Sequence, residues 1–193
     1  MQSLGYNHGM EHQPQLPINQ KAPDFTLLDL DGESHSLHDY EGQVVILNFW
    51  SAECPWSQRS DEKIIDYLPN WDSGVQYLPI ASNTNEGQQT ISDAAKTRQL
   101  PLILRDPVHQ VADLFGAATT PHLFVIDADG ILRYQGAFND VTFRQPEPTI
   151  NYLFLAVDAL RAGALPDPAE TLAYGCAIVR ALSLIHISEP TRH

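Results

Sequence analysis

The sequence predicts an α/β fold in which a mixed central sheet is flanked by helices on both faces. The first observation is the continuous apolar run QVVILNFW at 43–50, which is typical of a strand buried on both faces. The second is a pair of apolar runs at 122–126 and 131–137, joined by Asp127-Ala128-Asp129-Gly130, which predicts a β-hairpin. The third is the alternation of strand and helix patterns along the chain, which favours helices packed on both sides of one sheet.

The predicted elements follow from apolar periodicity and from the residues that interrupt it. Pro55 fits the first turn of a helix, where its missing N–H costs no hydrogen bond, and Gly116 and Gly163 fit helix ends. In chain order, the sequence predicts strands at 22–30, 43–50, 75–81, 102–104, 122–126 and 131–137, and helices at 55–68, 87–98, 108–115 and 151–162.

Composition indicates an ordered, acidic protein. Of its 193 residues, 43% are hydrophobic and 18% are charged, which suits one domain with a real core and argues against wholesale disorder. The net charge of −13 predicts a surface that repels nucleic acid and anionic lipid, and no apolar run is long enough to span a membrane. Residues 1–20 lack the basic start and apolar stretch of a secretory signal, so we expect a cytoplasmic protein without nucleic-acid or membrane partners.

The chain divides into four predicted segments. We expect a flexible N-terminal segment at 1–17, a single folded domain at 18–163, and an irregular, proline-rich tail at 164–181 that contains Cys176. The remaining residues, 182–193, resemble the in-frame translation of a transposase-type sequencing adapter. We therefore expect them to be foreign to the natural protein and to take no part in the fold.

The two cysteines, Cys54 and Cys176, are too few for a disulfide scaffold or a cysteine zinc site, and the histidines show no metal-binding spacing. We therefore expect no metal and no cofactor. Cys54 lies between a buried strand and a helix, where unpaired N–H groups and the helix dipole should stabilise its thiolate and lower its pKa. Thr120-Pro121 opens a later strand, a place where a cis bond is expected, and we expect it to meet Cys54 in space.

Several motifs together resemble the thioredoxin superfamily, and within it the redoxin branch of alkyl-hydroperoxide-reductase-like (AhpC/TSA) and thiol-disulfide-exchange proteins. The resemblance covers roughly residues 18–180 and rests on Ala22-Pro23-Asp24-Phe25, Asn48-Phe49-Trp50 before Cys54, Thr120-Pro121, and Val125-Ile126-Asp127 with Gly130. It implies a thioredoxin fold with an N-terminal strand extension and a nucleophilic Cys54. Gly175-Cys176-Ala177-Ile178 resembles a C-terminal element of one redoxin subgroup.

The resemblance also implies candidate site residues. The candidates for catalysis are Cys54, Ser57 and Cys176, and the candidates for substrate contact are Trp50, Pro55, Trp56, Thr120 and Pro121. The Thr120 backbone is expected to pair with an extended substrate segment, as in the family. Trp50 and Trp56 also fit packing positions in the core or at the lip of the site, and Cys176 is either a resolving thiol or an incidental residue of the tail.

Departures from the family patterns restrict the chemistry. Ser57 replaces the second cysteine of Cys-x-x-Cys, so no disulfide can form within this loop, and Asn48 replaces the buried aspartate that would deprotonate that cysteine. Glu53 stands where a tryptophan is usual, and its carboxylate should oppose thiolate formation. The peroxidase pattern is also incomplete, because Leu47 occupies the position of its proline and the expected arginine is replaced by Thr120-Pro121.

Three functional hypotheses remain open from the sequence. The first is thiol-disulfide exchange through a mixed disulfide at Cys54, resolved by Cys176, by a small thiol such as glutathione or by a partner protein. The second is a thiol peroxidase in which Cys176 resolves a Cys54 sulfenic acid, and the third is a non-catalytic binding module. The expected partners are protein or small-molecule thiols and disulfides, with peroxides added under the second hypothesis. The sequence predicts no particular oligomeric state.

Overall fold

The computed structural model describes residues 16–181, so the predictions for 1–15 and for the adapter-like segment 182–193 lie outside the described residues. Its strands are β1 Thr26–Asp29, β2 Ser34–Ser36, β3 Val44–Trp50, β4 Val75–Ala81, β5 Leu104–Arg105, β6 Thr119–Thr120, β7 His122–Ile126, β8 Leu132–Gly136 and β9 Cys176–Ala177. Its α-helices are α1 Pro55–Tyr67, α2 Gln88–Thr97, α3 Gln110–Phe115 and α4 Tyr152–Arg161. Short 3₁₀ turns at Leu37–Tyr40, Leu68–Asn70 and Asp72–Gly74 complete the described elements.

Seven strands form one mixed sheet in the order β2-β1-β5-β4-β3-β7-β8. The inner strands β3, β4 and β5 run parallel, whereas β7 pairs with β3 and β8 in antiparallel fashion. The N-terminal hairpin β1–β2 extends the sheet beyond β5. The mixed sheet, the β7–β8 hairpin and the N-terminal strand extension are therefore confirmed.

The central strand β3 divides the core into two layers because alternate side chains point to opposite faces. Leu47 and Phe49 face one side, where they pack with Phe115 of α3. Ile46 faces the other side, where it packs with Ile64 of α1 and with the inner face of α4. All seven β3 residues are buried, as expected for a strand covered on both faces, and each large apolar side chain contributes about 1.5–3 kcal/mol.

Differences from the predicted elements lie where the sequence signal is short or polar. Strands β4 and β7 match their predicted ranges, but the strand predicted at 102–104 is found at Leu104–Arg105. The sequence did not predict β2, because Ser34–Ser36 is a polar edge strand without apolar alternation. The apolar periodicity of 151–162 places Leu155 on the inward face of α4, but it is 52% exposed, because the buried stripe runs through Leu153, Ala156 and Val157. No helix within residues 16–181 is long and apolar enough to cross a membrane.

The segment 164–181, which the sequence predicts to be irregular, runs along the sheet edge and contains one short strand. It first follows β8, where Gln135 exchanges backbone hydrogen bonds with Ala169 and Thr171 at 3.1 and 3.0 Å. The approach is close, because a Cβ on Gly136 would overlap Thr171. The chain then reaches β9, which pairs with β6 at the carboxyl end of β3.

Candidate active site

The candidate nucleophile Cys54 lies where β3 has ended and α1 begins. Its extended backbone makes it the N-cap of α1, and Pro55 occupies the first helical position as predicted. The Cys54 N–H donates to the Ser51 hydroxyl at 3.1 Å, which fixes the loop before the helix. Cys54 is only 2% exposed, so its thiol lies beneath other residues rather than on the surface.

The loop before β7 meets Cys54, as the sequence predicts. The Thr120–Pro121 peptide bond is cis, which confirms the predicted isomer. The Cys54 thiol donates a hydrogen bond to the Thr120 carbonyl oxygen at 3.0 Å. Two features separated by 66 positions in the chain are thus brought into direct contact.

The second cysteine lies directly beside the first. The Sγ atoms of Cys54 and Cys176 are 2.8 Å apart, although the residues are 122 positions apart in the chain, and both cysteines are free. Strand β9 holds Cys176 there by antiparallel pairing, with Cys176 opposite Thr120 and Ala177 opposite Thr119. We call residues 174–180, which carry β9, the C-terminal strap.

The strap is anchored on both sides of Cys176. Before it, the Tyr174 ring packs edge-on against Trp56 of α1 with ring centres 5.1 Å apart. After it, Ile178 is buried in the core layer that contains α3, and its N–H donates to the Ala118 carbonyl at 3.0 Å. Further along, the Val179 N–H donates to the Asn83 side chain at 2.8 Å.

The two thiols have opposite electrostatic tendencies. Burial opposes ionisation of Cys54, but hydrogen bonds from the Cys176 thiol and the Ser57 backbone N–H outweigh it and lower the pKa of Cys54 below its ordinary value. Burial, the hydrogen bond to Cys54 and the negative charges of Cys54 and Glu86 raise the pKa of Cys176 to about 12. Cys54 therefore ionises more readily than Cys176, which keeps its proton at neutral pH.

A buried carboxylate holds the N–H groups of the active-site loop. Glu86, which is 4% exposed, accepts hydrogen bonds from the backbone N–H groups of Ala52 at 3.0 Å and Glu53 at 3.2 Å. It also accepts a short hydrogen bond from the Ser51 hydroxyl, the group that receives the Cys54 N–H. Glu86 thus positions the backbone that carries the nucleophile.

A partly buried cation holds the carbonyl groups of the same loop. Arg98, at the end of α2, donates to the carbonyl oxygens of Ser51 at 3.3 Å and of Ala52. It also pairs with the buried Asp61 of α1 at 3.0 Å, and Asp61 accepts the Trp50 indole N–H at 2.7 Å. Burial raises the pKa of Asp61 to about 6, despite its hydrogen bonds with Trp50 and Arg98.

A cleft opens beside the cis-proline. It has a volume of about 400 Å³ and lies between α1, Pro121 and the loop that follows β8. Its wall contains apolar side chains and the charged groups of α1: Trp56, Arg59, Glu62, Lys63, Phe138 and Tyr174. The predicted substrate-contact residues Trp56 and Pro121 lie in this wall, whereas Pro55 is exposed at the start of α1.

Residues 18–135 match the model of the AhpC/TSA family, which is more than half of the chain. The chain belongs to the AhpC/TSA family. Thiol-disulfide oxidoreductase ResA of Geobacillus thermodenitrificans is 33% identical over 116 residues, which cover 58% of this chain and 65% of that protein. The chain thus spans somewhat less than two thirds of this relative's length.

Solved structures place this AhpC/TSA family member in the thioredoxin-like fold class that the sequence predicts. The hypothetical protein SMc02350 of Sinorhizobium meliloti superposes with a TM-score of 0.80 at 24% identity, covering 88% of this chain and 98% of that one. The thioredoxin domain of thiol-disulfide oxidoreductase BVU-2223 of Bacteroides vulgatus superposes with a TM-score of 0.57 at 21% identity, covering 68% and 94%. These similarities concern the fold.

Two predicted site residues have other surroundings in this family member than the sequence suggested. Trp50 was a candidate for substrate contact, but it is fully buried. Its indole N–H donates a hydrogen bond to Asp61 inside the core. The Ser57 hydroxyl accepts the Ser51 N–H at 3.3 Å and so binds the loop before the cysteine. The group of Ser57 that reaches the sulfur is its backbone N–H.

Two side chains near the site play no direct part in the thiol geometry. The Glu53 carboxylate, expected to oppose the thiolate, is exposed and accepts a hydrogen bond from Asn85 at 3.3 Å. His122 packs against Phe124 with ring centres 4.6 Å apart, and burial lowers its pKa to about 4. At neutral pH this imidazole is uncharged and packed in β7, so it is not positioned as a proton carrier.

Sequence reasoning missed Glu86, Arg98 and Asp61, although one signal was available for the first. Strands β3 and β4 are parallel, with Trp50 opposite Ala81, so the loops after them leave the same edge of the sheet. A carboxylate in the loop after β4, such as Glu86, is therefore expected near the active-site loop. No comparable local signal pointed to Arg98, which reaches the loop from the far end of α2.

Proposed function

We propose that the chain is a thiol-disulfide oxidoreductase in which Cys54 is the nucleophile and Cys176 is the resolving thiol. The observation that carries this proposal is the 2.8 Å separation of the two sulfur atoms at the N-terminus of α1. A thiolate at a helix N-terminus beside a protonated thiol has what a two-cysteine exchange cycle requires. The name of the curated ResA relative supports the same reaction class.

The proposed cycle moves two electrons from the dithiol to a substrate disulfide. The Cys54 thiolate attacks one substrate sulfur, a Cys54–substrate bond forms, the substrate S–S bond breaks and the first substrate thiolate leaves. Cys176 then loses its proton to the departing thiolate or to water and attacks the Cys54 sulfur. The second substrate thiolate leaves, and the enzyme retains a Cys54–Cys176 disulfide.

The local structure supports this division of roles. Cys54 has the lowered pKa, so it is the better attacking group near neutral pH and also the better leaving group when the internal disulfide is reduced. Cys176 remains protonated until a mixed disulfide removes the negative charge beside it. Ser57 cannot resolve the mixed disulfide, so the long-range partner replaces the second cysteine that this loop lacks.

The test is oxidation of the reduced full-length chain with oxidised glutathione, followed by intact-mass analysis and non-reducing peptide mapping. We expect the wild-type chain to lose two hydrogens and to yield a linked Cys54–Cys176 peptide. Cys176→Ser should stop as a glutathione adduct at Cys54, and Cys54→Ser should form neither product. An oxidised wild-type chain without the linked peptide, while Cys54 carries glutathione, would remove Cys176 from the mechanism.

The second candidate function is a thiol peroxidase, which membership of the AhpC/TSA family supports. Within residues 16–181, the hydrogen-bond partners of the Cys54 sulfur are Thr120, Cys176 and the Ser57 backbone N–H, and no arginine is among them. We therefore expect slow reaction with hydrogen peroxide, because no cation is placed to stabilise the charge that develops on the peroxide oxygen. A second-order rate constant of about 10⁷ per molar per second or more would favour the peroxidase.

The binding-module hypothesis makes a different prediction about the same thiol. A redox-active Cys54 should show a pH midpoint of its iodoacetamide rate below that of an ordinary cysteine, once Cys176→Ser has removed the competing thiol. A midpoint equal to that of a free thiol, together with failure to form any glutathione adduct, would favour a binding role.

A further inference from the structure

The C-terminal strap closes the path by which any external sulfur would reach Cys54. Cys54 is 2% exposed, and its sulfur contacts Thr120 on one side and Cys176 on the other. Strand β9 occupies the backbone hydrogen-bonding edge of β6. The place that Cys176 occupies therefore already holds a second sulfur 2.8 Å from the Cys54 sulfur, beneath an otherwise closed surface.

The position before Cys176 accepts only a residue without a side chain. A Cβ built on Gly175 would lie 2.6 Å from the Thr120 carbonyl carbon, closer still to its oxygen, and 3.1 Å from the Pro121 nitrogen. These atoms belong to the backbone of β6 and of the residue after it rather than to the end of a flexible side chain, so relieving the overlap requires the backbone to move. The close approach of two backbones, rather than a turn, requires glycine here.

The neighbouring positions of the strap have distinct environments. Tyr174, one residue before the glycine, packs against Trp56 and against Phe143, with ring centres 5.1 and 5.8 Å apart. Ala177 is exposed, whereas Ile178 is 6% exposed and lies in the core layer. The strap lies in a groove along the edge of β6. From Tyr174 to Ile178, this groove holds an aromatic residue, a glycine, the cysteine, an exposed residue and an aliphatic residue in succession.

We propose that this groove, where an extended substrate segment is expected, selects a peptide in which glycine precedes the reacting cysteine. The segment binds in the place of β9, with its cysteine where Cys176 lies and its backbone paired with Thr119–Thr120. The inference rests on the proposed exchange function, because it names the substrate of the same thiol. The strap is then an internal competitor for the groove.

Displacement of the strap gives the exchange cycle its order. With the strap out, the Cys54 thiolate attacks the peptide's disulfide-bonded sulfur, and the peptide's former partner leaves as a thiolate with the electron pair of the broken bond. The strap then displaces the peptide backbone from β6, while the peptide sulfur stays bonded to Cys54, and brings Cys176 to the Cys54–peptide disulfide. Cys176 loses a proton to water and bonds to Cys54, and the peptide leaves as a thiolate that takes up a proton.

The experiment compares two peptides that differ at the glycine. Tyr-Gly-Cys-Ala-Ile and Tyr-Ala-Cys-Ala-Ile are each prepared as mixed disulfides with 5-thio-2-nitrobenzoate, whose release is followed by absorbance. Both react with the reduced, full-length Cys176→Ser variant, in which Cys54 is the only thiol. We expect the glycine peptide to react at least about tenfold faster, because the alanine methyl group meets rigid backbone.

A second arm opens the groove by the same steric conflict. Gly175→Ala combined with Cys176→Ser should dislodge the strap and increase the iodoacetamide rate of Cys54 by at least about tenfold over Cys176→Ser alone. Gly87→Ala in the same background is the matched control, since a Cβ at Gly87 has no atom within 4 Å. An unchanged rate in a folded Gly175→Ala variant would overturn the proposal that the strap seals the site.

Failure of this inference is distinguishable from failure of the proposed function. Equal rates for the two peptides, or a faster alanine peptide, overturn the glycine requirement while Cys54 still exchanges with oxidised glutathione. Reaction of neither peptide nor oxidised glutathione with Cys54 overturns both. The peptide comparison keeps the strap's own glycine, so it remains decisive even if Gly175→Ala does not fold.

Discussion

The two cysteines lie side by side, but the segments that carry them are held in different ways. The loop 51–54 is enclosed between two charged side chains, the buried Glu86 on its N–H groups and the partly buried Arg98 on its carbonyl groups. The C-terminal strap is held by the two-residue β6–β9 pairing, one buried isoleucine and contacts nearer the surface. One thiol is therefore fixed in the core, and the other is attached to a peripheral strand.

This difference suits the two chemical roles. A nucleophile gains from a fixed position at a helix N-terminus, because its stabilising donors are already oriented. A resolving thiol has to leave and return, and segments with few buried apolar contacts open at a lower free energy than the core. The following predictions test the difference, beginning with the loop.

Loss of the partly buried cation Arg98 should have the largest effect on stability. Arg98→Gln removes the partner of Asp61 and the donors to Ser51 and Ala52. Leaving the Asp61 carboxylate uncompensated in the core should lower the free energy of unfolding by about 3–5 kcal/mol at pH 7, measured by urea denaturation. Arg59→Gln, which removes an exposed arginine from the Trp56 ring, should cost less than about 1 kcal/mol.

The pH dependence of the same variant supplies an internal check. Burial raises the folded-state pKa of Asp61 to about 6 from 3.8, so the folded chain binds more protons than the unfolded chain and stability falls as pH rises through this interval. Without Arg98 the pKa rises further, and the fall extends to higher pH. The decrease in the free energy of unfolding caused by Arg98→Gln should therefore be smaller at pH 5 than at pH 7. Equal decreases at the two pH values would show that Asp61 is not the cause.

Glu86→Gln should have an intermediate effect on the loop. The amide keeps the size of the side chain but replaces one acceptor oxygen by a donor, which then faces N–H groups or the Ser51 hydroxyl. We expect a loss of about 1–3 kcal/mol in urea unfolding, as for buried groups that lose their partners. Glu33→Gln, at an exposed turn, should change stability by less than about 0.5 kcal/mol, and a similar loss in both variants would contradict the role of Glu86.

Substitution of the strap thiol should change the ionisation of Cys54 rather than the fold. Cys176→Ala removes the donor that stabilises the Cys54 thiolate, so the pKa of Cys54 should rise towards its ordinary value. Cys176→Ser keeps a hydroxyl donor and should shift it less. The measurement is the midpoint of the iodoacetamide rate against pH, and coincident midpoints for the two variants would contradict the thiol pair.

The smallest effect should come from the strap's surface ion pair. Arg180 contacts Asp113 at 3.1 Å, with both side chains more than a third exposed, and also donates to the Ala117 carbonyl at 2.7 Å. Arg180→Gln should lower the free energy of unfolding by less than about 1 kcal/mol. The decrease should be smaller in high salt, because salt screens exposed ion pairs. Arg144→Gln, an exposed arginine in the loop after β8, provides the control. A loss comparable to that of Arg98→Gln would show that the strap is held as firmly as the loop.

Periodicity was sufficient to predict most of the sheet. The apolar run of β3, the turn between β7 and β8 and the proline at the start of α1 are local signals, and each element lies within a few residues of its predicted place. The candidate nucleophile followed from the same signals, because a cysteine between a buried strand and a helix must lie at the helix N-terminus. The cis bond before Pro121 was predicted from a local motif as well.

The sequence by itself determined the class of fold and the place of Cys54, because both depend on patterns within about twenty residues of one another. Only the tertiary structure decided which groups surround the thiol. Cys176 is 122 residues away, Glu86 lies 34 residues from the N–H of Ala52, and Arg98 lies 46 residues from its carbonyl. The packing of whole strands and helices brings these residues together, and no local periodicity records which side chains meet across a sheet edge.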